Sequence, residues 1–241
     1  MVLQLSRPSL HPTISRPRCS SPTTPEMTAA KKPLAIIYGV GRSPGLGYSL
    51  AKLFAETHAV AILSRSLAKL EPIAADLRAT GGDVRAFEAA ADPAAIAQAF
   101  ETIQETFGER EVTLGIWNAA TRPAPKSFLD ISDAELTEST LVNVRAPAAF
   151  ARSLLPLLLA NPLETTGPRP KPRGTLLFTG ATASNKGSAG FAAFASGKFG
   201  LKAIAQSLAR EYGKDGVHVG HVVIDGCVPL SLFPSHQGAS G

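Results

Sequence analysis

The chain has 241 residues, 44% hydrophobic and 18% charged, enough to bury a sizeable core without staples. Only two cysteines are present, Cys19 and Cys227, which excludes a disulfide-dense scaffold. No apolar run reaches the ~18 residues of a membrane span, since the longest candidate, Leu154 to Ala160, is short and holds Pro156.

The net charge of +5 sits at one end. Residues 1–32 carry Arg7, Arg16, Arg18, Lys31 and Lys32 against Glu26 alone, whereas residues 33–241 carry 19 basic and 18 acidic groups. That nearly neutral body lacks the basic stripe of a phosphate-backbone binder, so the expected partner is a small molecule, with no nucleic acid and no membrane. Residues 1–32 are rich in Ser, Pro, Thr and Arg. Their five prolines at 8, 12, 17, 22 and 25 oppose the amphipathic helix of an organelle leader, and no secretory apolar region is present. The segment reads as disorder, or as an upstream mis-assigned start before Met27, and the protein as cytoplasmic. Mitochondrial targeting is the alternative if the extension is genuine.

Residues 33–226 read as one domain. Six short apolar runs, Ala35–Tyr38, Ala59–Leu63, Val84–Phe87, Val112–Trp117, Thr175–Phe178 and Val217–Ile224, are continuous rather than alternating. Strands buried on both faces of a parallel sheet have that pattern. Helical segments fall between them. Asp92-Pro93 is an N-cap before a first-turn proline, followed by Ile96, Phe100, Ile103 and Phe107 on one face, with Gly108 as the stop. Ser132-Asp133-Ala134-Glu135 is a capping box opening a long helix. The last helix carries Leu201, Ile204, Leu208 and Tyr212 on one side. Asn161 to Arg173 is Pro-rich and basic, an exposed loop, and residues 227–241 form an irregular tail. Six strands interleaved with five helices predict an α/β, doubly wound, Rossmann-type parallel sheet in a single domain.

The first strand leads into Gly39-Val40-Gly41-Arg42-Ser43-Pro44-Gly45-Leu46-Gly47 and then a helix. Gly41, Gly45 and Gly47 are spaced GxxxGxG, and with Arg42, Ser43 and Leu46 they form a loop that lets a pyrophosphate approach backbone at a helix N-terminus. The spacing alone is weak, and a purely structural turn is the other reading. Strand before and helix after favour nucleotide binding. After the second strand, Ser64-Arg65-Ser66 stands where an NAD-preferring fold has an acid for the ribose 2′-hydroxyl. An arginine between hydroxyls suits a 2′-phosphate, so NADP(H) is the preferred cofactor and NAD(H) the alternative. The other reading of Arg65 is a solvated loop cation.

From about Lys32 to Gly226 the pattern resembles the short-chain dehydrogenase/reductase family. Asn118-Ala119-Ala120 resembles its NNAG segment, Asn143 its helix-four asparagine, and Lys198 the lysine of its YxxxK motif. The resemblance implies that Asn118 and Ala119 support the cofactor loop. It also implies that Asn143 maintains a water relay, and that Lys198 binds the nicotinamide ribose. Pro147 lies four residues after Asn143 and withholds the N–H that the Asn143 carbonyl expects in a helix, leaving it for a water or producing an ordinary kink. Family pairing through the long helices after strands four and five implies a homo-oligomer.

The departures are equally specific. Phe194 stands four residues before Lys198, where the family has its tyrosine acid, and phenylalanine carries no proton to give. The family serine falls near Ala181 or Thr182, and Thr182 has the only hydroxyl of the two; it is expected to polarise the substrate oxygen. Ser184 and Ser196 are off the spacing. Ala89 replaces the acid that contacts adenine, and Asp225-Gly226 replaces a Pro-Gly beside the nicotinamide amide, with Asp225 either an acid near the site or a turn residue. Tyr48 to Lys52 also spells YxxxK, but one helix too early to reach the nicotinamide. The substrate lid and seventh strand of the family are not recognisable after Gly226. No metal site is expected, because His11, His58, His218, His221 and His236 form no ligand spacing, and no nucleophile elbow occurs. The function expected is an NADP(H)-dependent oxidoreductase moving hydride between nicotinamide and a carbonyl or alcohol. A non-catalytic NAD(P)-binding sensor and an incomplete gene product are the alternatives.

Overall fold

A computed structural model describes residues 31–41, 45–165 and 171–225. The extension at residues 1–30, the loop residues Arg42, Ser43 and Pro44, and the tail from Gly226 onward, with the expectations attached to them, lie outside the described residues.

The continuous apolar runs become strands because a segment apolar on both faces can be covered only between two helix layers. They are β1 (Leu34–Tyr38), β2 (Ala59–Ser64), β3 (Val84–Glu88), β4 (Val112–Trp117), β5 (Gly174–Ala181) and β6 (Val217–Ile224). All pair in parallel, in the order β3-β2-β1-β4-β5-β6. Every residue of β1 is buried. Strand β5 runs three residues beyond the expected Phe178, to Ala181, alternating buried and half-buried positions.

Strand order reverses between β1 and β4, and the helices divide accordingly. On one face α1 (Leu46–Ala55) and α2 (Leu67–Ala79) cover the sheet with Ala51, Ala55, Leu70, Ile73 and Leu77. On the other lie α3 (Pro93–Phe107), a long helical run from Asp133 to Ala160, and α6 (Ala192–Tyr212). Asp92 caps α3 through Oδ1, which accepts from the Ala94 N–H at 2.9 Å. The Ser132–Glu135 capping box is complete.

The long run is not one uniform helix. It consists of α4 (Asp133–Thr140), a wide π turn at Leu141–Arg145, and α5 (Ala146–Ala160). The Ala146 N–H donates to the carbonyl of Leu141, five residues back. Pro147 has no N–H for the four-residue ladder, and the chain accommodates it by widening one turn rather than by a simple kink. Asn143 is the middle residue of that turn.

Beneath the reversal lies an aromatic stack. Tyr38 of β1 lies flat on Trp117 of β4 at 4.1 Å, and Phe150 of α5 meets Trp117 edge-on at 5.7 Å. Just above, Gly39 takes φ +95°, and a Cβ there would lie 2.4 Å from the Ala119 nitrogen. Replacing Gly39 by alanine is therefore expected to lower unfolding free energy by about 2–4 kcal/mol, read from urea denaturation. A change within ~0.5 kcal/mol would contradict the backbone contact described.

Candidate functional site

The strands' C-terminal ends open onto two joined clefts. The first, of about 560 Å³, is lined by Tyr38, Gly39, Val40 and Gly41 from β1 and its loop, by Ser64 and Arg65 after β2, and by Asn118 to Arg122 after β4. It is the crevice at the strand-order reversal, where open α/β sheets bind ligands. Three glycines shape it differently. Gly39 lets β1 touch the loop after β4. Gly47 brings α1 against that same turn, since a Cβ on it would lie 2.6 Å from the Gly39 carbonyl. Gly41 meets nothing within 4 Å, so its missing side chain leaves open room on the cleft wall. Gly45 is the N-cap of α1, whose first Leu46 turn has no side-chain cap. The donors of that turn are thus not engaged by a capping side chain. The room at Gly41 and this helix N-terminus together fit a phosphate group.

Asn118 fastens the two loops together, its Nδ2 donating to the Gly39 carbonyl at 3.0 Å. Ala119 follows as the backbone that Gly39 touches. Ser64 Oγ accepts from the Ser66 N–H at 3.4 Å, turning the chain so that Arg65 faces the cleft. Arg65 has no carboxylate partner among the described residues. Burial pushes Tyr38 up to about 12, and the Arg65 charge partly offsets that. The Tyr38 hydroxyl donates to the carbonyl of Ala89, the position where the family pattern has an acid.

The second cleft, about 490 Å³, shares Asn118, Ala120 and Thr121 with the first and continues over β5 and β6. Thr182, Phe191, Phe194, Lys198 and Ile224 line it. Lys198 of α6 is 2% exposed, and its Nζ donates to the Thr179 carbonyl at 2.9 Å. Burial lowers its pKa to about 8. The Phe194 ring lies one helical turn away, its centroid 5.9 Å from Nζ. The pair thus keeps the lysine beside an aromatic face, but the aromatic has no hydroxyl. Asn143 is fully buried below Thr121, with Nδ2 3.0 Å from Thr121 Oγ1 and 3.1 Å from the Ser139 carbonyl. Its Oδ1 has no protein partner.

The structure therefore brings Gly41, Ser64, Arg65, Asn118 and Ala119 to one cleft and Thr182, Phe194 and Lys198 to the other. Asn143 stands beneath their junction. Leu46 and Gly47 lie behind the first cleft in α1. Tyr48 and Lys52 belong to α1 and line neither cleft. Sequence reasoning singled out neither Gly39 nor Arg122. Gly39 lies outside the GxxxGxG spacing, and its need for glycine comes from a contact 80 residues along the chain. The Thr182 hydroxyl donates to Asp225 Oδ1, a partnership between β5 and β6 ends that no local pattern announces. No group of three potential metal ligands occurs among the described residues, and no helix there is long and apolar enough to cross a membrane.

Residues 35–228 match the family model for short chain dehydrogenase. An uncharacterized short-chain type dehydrogenase/reductase, y4mP of Sinorhizobium fredii, is 26% identical over 193 residues, spanning 78% of this chain and 71% of that protein. The oxidoreductase UcpA of Escherichia coli is 26% identical over 183 residues, which are 76% of this chain and 65% of UcpA. Among solved structures, a short-chain dehydrogenase from Rhodopseudomonas palustris superposes with TM-score 0.69 at 30% identity, covering 83% of this chain and 87% of that one. A metagenomic short-chain oxidoreductase solved with NADP shares the fold at TM-score 0.69 and 22% identity, over 80% of this chain and 82% of that one.

Burial of Lys198 has a measurable consequence. The folded chain releases that proton near pH 8, against 10.5 for an ordinary lysine, so between those values the unfolded state binds more protons and stability rises with pH. The wild type is expected to gain about 3 kcal/mol relative to Lys198→Met from pH 8 to pH 10.5 in urea unfolding. A stability difference that does not change with pH would contradict the burial of the ammonium.

Proposed function

The chain belongs to the short-chain dehydrogenase family of NAD(P)-dependent oxidoreductases, and on that premise we propose that it uses NADP(H) to move hydride between the nicotinamide and a carbonyl or alcohol group of a small molecule. The observation that carries the choice of NADP(H) is Arg65. It lines the first cleft beside Ser64, at the end of β2, where a fold that grips a ribose 2′-hydroxyl places an acid. A guanidinium between hydroxyls is the complement of a 2′-phosphate.

In this reading the pyrophosphate lies over Gly41 and the N-terminal turn of α1, with Arg42 and Ser43 in the same loop. Asn118 and Ala119 hold the loop after β4 in register. Lys198 binds the nicotinamide ribose, and Asn143, buried at the junction of the clefts, maintains a water relay. The bound nicotinamide supplies or accepts hydride. Proton movement falls to this chain and to water, because Phe194 has none to give. The Thr182 hydroxyl faces the substrate space. Residues 33–226 act as the catalytic domain, in the cytoplasm, and copies of the chain associate as a homo-oligomer.

Titration of the purified chain with NADPH and NADH, followed by nucleotide fluorescence, tests the reading. NADPH is expected to bind at least tenfold tighter, and Arg65→Ser to remove most of that preference while leaving NADH affinity within about twofold. Equal affinity for the two nucleotides in the wild type would contradict NADP(H) preference, and binding of neither would contradict the cofactor site itself.

A further inference from the structure

The second cleft is walled by apolar side chains and edged by charge of one sign. Phe191 and Phe194 at the start of α6 and Pro123 from the loop after β4 line its apolar side. The charged side chains among its lining residues are Lys186 and Lys198, both cations. Asp225 follows Ile224, the last lining residue of β6, and accepts the Thr182 hydrogen. Among the described residues it forms no ion pair with either lysine.

The lysines around this cleft differ in what already holds them. Lys198 Nζ donates to the Thr179 carbonyl at 2.9 Å, and Lys202 Nζ donates to the Asn185 side chain at 2.5 Å. Lys126 is paired with Glu135 at 2.9 Å. Lys186 is exposed, and its ammonium has no ion-pair partner among the described residues. Its backbone, by contrast, is fixed. The Lys186 N–H donates to the Thr182 carbonyl at 3.0 Å, and the Phe191 N–H closes a turn on the Ser188 carbonyl at 3.1 Å. The Lys126 N–H donates to the Gly190 carbonyl at 2.9 Å, tying the far end of the segment to the loop after β4. Lys186 is thus an uncommitted cation on a pinned rim, and Ser188, which also lines the cleft, adds a hydroxyl beside it.

We infer that this cleft takes a carboxylate-bearing substrate, an oxo or hydroxy acid whose anion meets Lys186 and Ser188. Its apolar body lies against Phe191 and Phe194, and its reacting carbon lies toward Lys198. The inference rests on the hydride-transfer reading above and names the substrate class of that site. An apolar wall keeps water from one side of the ligand, which strengthens the attraction between its anion and the rim cation. One cation and one hydroxyl match a single carboxylate. A phosphate ester, with its greater charge, finds no arginine and no second uncommitted cation among the lining residues.

Calorimetric titration of the full chain saturated with NADP+ tests this with two matched pairs, benzoylformate and para-acetylbenzoate, each beside its methyl ester. The pairs place the carboxylate next to the ketone or a ring's width from it. In at least one pair the acid is expected to bind about fivefold tighter than the ester at low salt, the upper reach of one partly exposed ion pair. Lys186→Met is expected to bring that ratio within about twofold of unity, and Lys186→Arg, which keeps the charge, to hold it within about twofold of the wild-type value. Thermal melting checks folding, and Lys186→Gln decides if the methionine variant does not fold. Equal binding of acid and ester in both pairs, binding of no probe, or an acid preference that survives removal of the charge overturns the inference, while nucleotide binding leaves the hydride-transfer reading standing. A wild type that binds no nucleotide overturns both.

Discussion

Two strands meet at the centre of this molecule with no side chain between them. Gly39 at the end of β1 lies so close to Ala119 after β4 that a single methyl would overlap backbone, and Gly47 brings α1 down onto the Gly39 carbonyl from the other side. Asn118 ties the same carbonyl with its amide. Strand order reverses at this point, so the helices leave to opposite faces and a crevice opens above. The first cleft, the direction of α1 and the position of Asn118 all follow from that contact. The flat stack of Tyr38 on Trp117 supports it from beneath.

The second cleft depends on a different arrangement. Lys198 is held by α6 against the Thr179 carbonyl, in a setting that disfavours its charge. Phe194 is placed one turn earlier, where it gives the lysine an aromatic face and nothing to exchange protons with. Polar chemistry is displaced to the ends of β5 and β6, where Thr182 and Asp225 meet. Family membership sets the reaction class.

Much of the fold was legible because its causes are local. Runs such as Ala59–Leu63 have no polar face to expose, so they specify parallel strands covered on both sides, and the six strands fall close to the expected limits. Asp92 and the Ser132–Glu135 box announced their helices because caps act within a single turn. The π turn was not foreseen. Pro147 revealed that a hydrogen bond was missing, but whether a helix kinks or widens depends on what packs around it, here Ser139 and Gly197 against Asn143. Gly39 and the Thr182–Asp225 bond were hidden for a related reason. Each is a contact between segments at least 40 residues apart, and no spacing within either segment encodes it.

The central claim is that the crevice at the β1–β4 reversal holds a dinucleotide. Amide hydrogen exchange of the chain with and without NADPH tests this directly. Protection is expected at Gly39–Gly41, Ser64–Ser66 and Asn118–Thr121, three segments that share only that cleft. Protection absent from these segments under saturating NADPH, or confined to other parts of the sheet, would contradict the account.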